Sequence, residues 1–282
     1  MREGAGVRNI VAIGGRDLPD LNPFLIFAEF GGDGPEDYAG GFPDHPHRGF
    51  ETATYVVEGR LRHSDSRGHE GRLGPGAVQW MTAARGLIHA EMPDQAEGRL
   101  QAFQLWINLP ARHKMDEPRY QDIAAAQIPR FSGGGVTAKV LVGSAFGVTS
   151  PVDGGPTRPL YLDLELSAGA TVTVPVVREH TAFAYVFAGD ARFGDERAPA
   201  QTIAVFSRGD CIEVAADEPA RLLLLAAAPI REPVAKRGPF VMTTQEELLQ
   251  ALADYQAGLF AAPRRHRQAQ VRAPVAGRRL RQ

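Results

Sequence analysis

Alternation with a period of two is the main regularity along this chain. Residues 52–57 (TATYVV) carry β-branched and aromatic side chains and end at a turn, Glu58-Gly59. Such residues fit a pleated, half-buried surface. Residues 60–64 resume as a strand, 68–71 turn again, and Leu73-Gly74-Pro75-Gly76 is a tight turn ahead of Ala77-Val78-Gln79-Trp80-Met81. Residues 100–109 (LQAFQLWINL) form one more predicted strand, closed by Pro110, which cannot donate to a ladder. Val11-Ala12-Ile13-Gly14-Gly15 reads as strand and turn, since Pro19 and Pro23 stand where a dinucleotide-binding helix would follow.

The second half repeats the pattern about 130 residues on. Residues 184–193 (AYVFAGDARF) parallel 54–63 (TYVVEGRLRH), and Ser207-Arg208-Gly209-Asp210-Cys211-Ile212 parallels Gly74-Pro75-Gly76-Ala77-Val78-Gln79. A repeat of roughly a hundred residues means a duplicated domain, not a solenoid. Pro129 and Gly133-Gly134-Gly135 interrupt the pattern. The expected division is therefore 1–130 and 131–262. One helix is signalled: Thr244-Gln245-Glu246-Glu247 is a capping box, Leu248, Leu249, Leu252 and Tyr255 recur at helical spacing, and Gly258 sits at a C-cap position.

Composition narrows the function. The 282 residues are 44% hydrophobic, with 31 Gly and 21 Pro, which favours many short strands around a sizeable core. Net charge is −2, but residues 263–282 hold seven Arg and no acidic residue, leaving −9 on the rest. That body is too acidic to wrap nucleic acid, and the basic tail is expected to be disordered. With Cys211 alone, an intrachain disulfide and CxxC or thiolate-zinc sites are excluded. Cys211 itself is expected in the core. No secretory leader or ~18-residue apolar span is visible, so the expected location is cytoplasmic with no membrane partner. Gly143-Ser144-Ala145-Phe146-Gly147 misses the GxSxG nucleophile pattern by one position.

The candidate chemistry lies in Asp44-His45-Pro46-His47-Arg48-Gly49-Phe50-Glu51 and Gly86-Leu87-Ile88-His89-Ala90-Glu91. On strands, i and i+2 share a face. Two such strands inside a barrel could set His45, His47, His89 and Glu91 around one point, a donor set suited to a divalent transition metal such as Fe(II), Mn(II), Ni(II), Co(II), Cu(II) or Zn(II). Left unmetallated, this many buried polar groups would be costly unless hydrogen-bonded. His63 and His69, near a hairpin turn, are expected to be surface or structural, and His113 and His180 solvated. Phe50, Trp80 and Met81 flank the donor strands, as pocket lining or as core. At an offset of 130, His45 and His47 fall on Pro175 and Val177, and His89 and Glu91 fall near Leu222-Leu223-Leu224-Leu225. The second half is thus expected to be metal-free.

HPHRGFET, the run 75–93 (PGAVQWMTAARGLIHAEMP) and the run 231–242 (REPVAKRGPFVM) resemble the pirins, a branch of the cupin superfamily, over 10–260. The resemblance implies a bicupin, two antiparallel β-barrels packed together, with a metal, usually iron, held in the first barrel by His45, His47, His89 and Glu91. The general cupin pattern would put Gly at the place of Ala39 and a ligand glutamate at Glu51; the pirin pattern uses Glu91 instead. Two roles are implied. One is a quercetin 2,3-dioxygenase-type enzyme that opens a flavonol or similar small aromatic with O2, with Glu91 accepting the substrate's proton. The other is an iron-dependent regulator acting through a protein partner.

Overall fold

The computed structural model describes residues 1–259; the basic tail lies outside them. The first half forms β1 (Arg2–Glu3), β2 (Val7–Ile13), β3 (Phe24–Gly32), β4 (Phe42–His47), β5 (Phe50–Glu58), β6 (Leu61–Asp65), β7 (Glu70–Leu73), β8 (Val78–Thr82), β9 (Leu87–Pro93), β10 (Leu100–Asn108) and β11 (Arg119–Ile123). The second forms β12 (Arg130–Gly133), β13 (Val136–Val142), β14 (Ser144–Ala145), β15 (Val148–Thr149), β16 (Leu160–Leu166), β17 (Ala170–Pro175), β18 (Thr181–Ala188), β19 (Asp190–Phe193), β20 (Glu196–Pro199), β21 (Thr202–Val205), β22 (Cys211–Ala216) and β23 (Ala220–Ala227). A hairpin, β24 (Ala235–Arg237) and β25 (Phe240–Met242), and the helix α1 (Gln245–Gln256) close the chain.

Each half is a barrel of two sheets. In the first, β1-β2-β3-β10-β5-β8-β11 faces β4-β9-β6-β7; in the second, β12-β13-β16-β23-β18-β21 faces β17-β22-β19-β20. The ladders are antiparallel, as the bicupin expectation requires. The Gly133-Gly134-Gly135 run is the tip of the β12–β13 hairpin, with Gly134 at φ +60 and Gly135 at φ +77.

The sheet orders correct the fixed offset of 130. β4-β9-β6-β7 corresponds strand for strand to β17-β22-β19-β20, so the partner of β9 is β22, whereas Leu222-Leu223-Leu224-Leu225 lies on β23, the counterpart of β10. Shorter loops in the second half make the offset drift. His45 pairs with His89 as Val174 pairs with Ile212. The four donor positions therefore become Val174, Val176, Ile212 and Val214, which pack in the apolar interior of the second barrel. Cys211 is a second correction. It is exposed, because it begins β22 with the opposite parity to the buried Ile212 and Val214.

Alternation also divides the first barrel's large sheet. On β10, Phe103, Leu105 and Ile107 join a core shared with Phe183, Tyr185, Leu223 and Leu225 of the second barrel, while Gln104 and Trp106 face inward to a pocket. Phe27 lies 5.1 Å from Phe183 and 5.5 Å from Tyr185 between ring centres. Each large apolar side chain buried in this shared core contributes about 1.5–3 kcal/mol toward keeping the barrels together. At the edge of this core, Asp163 takes Arg221 on both oxygens (2.9 and 2.6 Å), Lys139 at 3.1 Å and the Tyr55 hydroxyl.

The closing hairpin and helix pack on the first barrel. The backbone of Arg48 donates to Pro239 O (3.3 Å) and accepts from Val241 N (3.0 Å), and the Arg48 guanidinium meets Asp254 on α1 at 2.8 Å. The predicted cap is present: Thr244 Oγ1 accepts from Glu247 N, and Glu247 Oε2 accepts from Thr244 N. Leu248 and Ala251 are buried, but Leu249 is exposed, so the apolar stripe is narrower than the run of leucines suggests.

Candidate metal centre

The local sequence folds the donors together in two steps. β4 and β9 are neighbours with His45 opposite His89. Gly49, at φ +90 and with a hypothetical Cβ only 1.8 Å from Val241 O, then turns the chain from β4 into β5. That turn resets the parity. His45 and His47 point into the pocket, whereas Glu51 points out of the barrel on the face of β5 that also carries Ala53 and Tyr55. Glu51 is fully buried there, with Thr82 Oγ1 donating to its Oε1 at 2.7 Å and Trp80 Nε1–H at 3.2 Å. It stands apart from the histidines, so the glutamate position of the general cupin pattern serves the junction between barrels in this chain.

The three imidazoles are brought together. Ring centres are 4.7 Å apart for His45–His47, 4.4 Å for His45–His89 and 4.9 Å for His47–His89, and each ring offers a nitrogen within 4.8 Å of the other two. Glu91 stands outside that tight set but lines the same pocket. Its Oε1 accepts from Thr54 Oγ1 at 2.7 Å, and the Gln104 amide lies 2.8 Å from the same hydroxyl. His45 is oriented by Nδ1–H donating to Pro43 O at 2.8 Å, and Pro239 lines the same pocket as His47.

Burial, and then the neighbouring imidazoles, hold His47 and His89 well below the usual histidine range. Both rings are thus neutral at pH 7, with lone pairs free to bind a cation. His89 has no exposed surface, and neither of its nitrogens has a hydrogen-bond partner. A buried imidazole in that state is costly, and a metal on one nitrogen would remove part of the cost. The residues present fit a divalent transition metal.

The donors open into a cavity of about 360 Å³. Ile26, Ala28, Phe30, Phe42 and Trp106 form its apolar side, His45, His47, Glu91 and Gln104 its polar side, and Gly238 and Pro239 of the closing hairpin complete the wall. Phe50, Trp80 and Met81, which the sequence leaves open as pocket lining or core, are core. Phe50 stacks on Trp106 (4.4 Å) beneath His47, Trp80 is in the core between the barrels, and Met81 is in a small cluster with Ala83 and Leu87. Trp106 and Gln104 were readable as an i, i+2 pair in 100–109; the walls supplied by β3 and by the closing hairpin carry no such local signal. Of the other histidines, His63 is buried and His69 exposed, while His113 and His180 are intermediate. His266 lies outside the described residues.

The Pirin family model matches residues 6–107, and the Pirin C-terminal cupin domain matches 161–261. A pirin-like protein of Caulobacter vibrioides is 47% identical over 260 residues, covering 92% of this chain and 94% of the relative. The chain belongs to the pirin family. A second relative, from Pseudomonas aeruginosa and provisionally named a quercetin 2,3-dioxygenase, is 42% identical and covers 92% of this chain and 94% of its own length. Among solved structures, a quercetin 2,3-dioxygenase from Acinetobacter baumannii superposes on this pirin with a TM-score of 0.84, at 33% identity, covering 92% of this chain and 93% of that one. Among the described residues, no helix of this pirin is long and apolar enough to cross a membrane.

Proposed function

We propose that this pirin is a metal-dependent dioxygenase of the quercetin 2,3-dioxygenase type, opening the ring of a flavonol or similar aromatic with O2 and releasing carbon monoxide. The observation that carries the reading is the cluster of three imidazoles, two of them buried, at the end of a cavity walled by Trp106, Phe30 and Phe42. The likeness to the Acinetobacter enzyme supports it.

In this reading His45, His47 and His89 hold the ion, with Glu91 as fourth ligand or nearby base, and Fe(II) is the ion expected. When bound, the ion supplies a Lewis acid for the substrate's oxygens. The chain's own residues do the rest. Trp106 and the two phenylalanines give a flat ring an apolar slot, and their packing keeps water out. Glu91 accepts the substrate hydroxyl proton on a carboxylate oxygen. The Thr54 hydroxyl fixes the orientation of that carboxylate through Oε1.

Oxygen uptake and carbon monoxide release with quercetin, after reconstitution with Fe(II), test the proposal. His47→Ala should lower Fe(II) content and turnover together, each by at least about tenfold, because the remaining donors leave the ion under-coordinated. Binding should also weaken as pH falls below about 6, where protons begin to compete for imidazoles held under the usual histidine range. Loaded protein that consumes no oxygen with flavonols would overturn the enzyme reading and favour the regulatory one.

A further inference from the structure

The first barrel gathers a second set of donors beside the pocket. We propose that His63, His69 and Asp122 form a separate metal site for a zinc-class divalent ion, with one coordination position left to water.

The donors come from three elements. His63 lies in the middle of β6, 4% exposed, His69 precedes β7, and Asp122 lies on β11. His63 Nε2 is 3.1 Å and His69 Nε2 is 3.4 Å from the same oxygen, Asp122 Oδ2, and the three donor atoms lie within 4.8 Å of one another. Tetrahedral bonds of 2.0–2.1 Å put ligand atoms about 3.3 Å apart, so the two spacings match an ion's coordination shell. Hydrogen bonding alone accounts for the set less well. The His63 contact is within hydrogen-bond range, but 3.4 Å for His69 is beyond the range of a charge-assisted bond.

The surroundings hold the donors in place. Gln79 Nε2 donates to Asp122 Oδ1 at 2.9 Å, which leaves Oδ2 for the histidines. Asp65 Oδ1 accepts from the backbone N–H of Arg67 and of His69, each at 2.8 Å, fixing the turn that carries His69. Tyr120 stacks on both rings, at 4.5 Å from His69 and 5.6 Å from His63. Gly71, opposite His63 on β7, keeps the space open. A Cβ there would lie 2.1 Å from His63 Nε2 and 2.6 Å from Asp122 Oδ2. An ion in this space would clasp the β6–β7 hairpin of the small sheet to β11 of the large one.

The test is a metal count on the full-length chain, stripped with chelator, reloaded with Zn(II) or Co(II) and freed of excess ion. Wild type should hold two ions. Asp122→Asn and His69→Ala should each lose one, with affinity at this position falling at least tenfold, while His47→Ala should keep this ion and lose the other. The His69 side chain is 44% exposed, so its replacement leaves the fold intact, which circular dichroism would verify. In the Co(II) form, the visible bands of the low-coordinate ion should disappear in Asp122→Asn and persist in His47→Ala. A wild-type ion count that neither Asp122→Asn nor His69→Ala lowers would overturn the proposal. That outcome does not bear on the His47-dependent ion, so the pocket reading stands or falls separately.

Discussion

The surroundings of Glu51 favour its uncharged form. Burial raises its pKa to about 7, against the donors Thr82 and Trp80, which help the anion. Its Oε2 has no partner, and a Cβ at Gly155 would lie 3.1 Å from it. The folded pKa lies above the unfolded one, so the contribution to stability is full below about pH 4.5 and is lost as pH rises to about 7. Over that range the loss is about 3 kcal/mol. Glu51→Gln, which cannot ionise, should be more stable than wild type by about 1–3 kcal/mol at pH 8 and nearly equal to it at pH 4.5. Denaturant titrations at the two pH values would read this directly. Equal stability at pH 8 would mean that the carboxyl is relieved by contacts other than these. At this scale the sequence was legible where a pattern is local. The i, i+2 pairs bring His45, His47 and His89 together, while Glu91 lies outside that tight set. The facing of Glu51 was not legible, because one glycine turn changes which side of the sheet a residue takes. The convergence of His63 with Asp122 was hidden in the same way, by 59 residues of intervening chain.

Single elements are fastened to one another by buried polar groups, and Lys114 is the clearest. It is 2% exposed, and its ammonium donates to Gly49 O (2.7 Å), Asn108 Oδ1 (2.6 Å) and Val241 O (3.0 Å). Its three N–H groups thus meet three acceptors, and burial lowers its pKa to about 8. One side chain joins the turn after the histidine strand, the end of β10 and the closing hairpin. Lys114→Met should cost about 2–4 kcal/mol, since each acceptor is left buried without a donor. It should also expose β24–β25 to protease before the barrels unfold, which limited digestion with mass mapping would show. Strand positions and the helix cap were legible from alternation and from Thr244 with Glu247. Where the closing hairpin packs was not, because its contacts to Arg48 and Lys114 are more than a hundred residues away in sequence.

For the whole molecule, the shared aromatic core makes the barrels one cooperative body. Calorimetry should give a single transition, and two resolved steps would contradict that. Burial works to raise the pKa of Asp163, but the hydrogen bonds and charge of Arg221, with Lys139, hold it below the usual range. Asp163→Ala would leave those two cations and Tyr55 without their shared acceptor, at about 3–5 kcal/mol, and should lower the one transition without splitting it. Duplication was legible from the repeated strands, but a constant offset could not follow loops of unequal length. The last hairpin also has a bearing on how the protein is made. Translation delivers His89 some 150 residues before Pro239, so a growing chain presents bare imidazoles while one side of their chamber has yet to be synthesised. At that stage nothing about the chamber's shape can sort one cation from another. Affinity order and local supply would decide the first occupant, and any later choice would have to come by exchange through a finished wall.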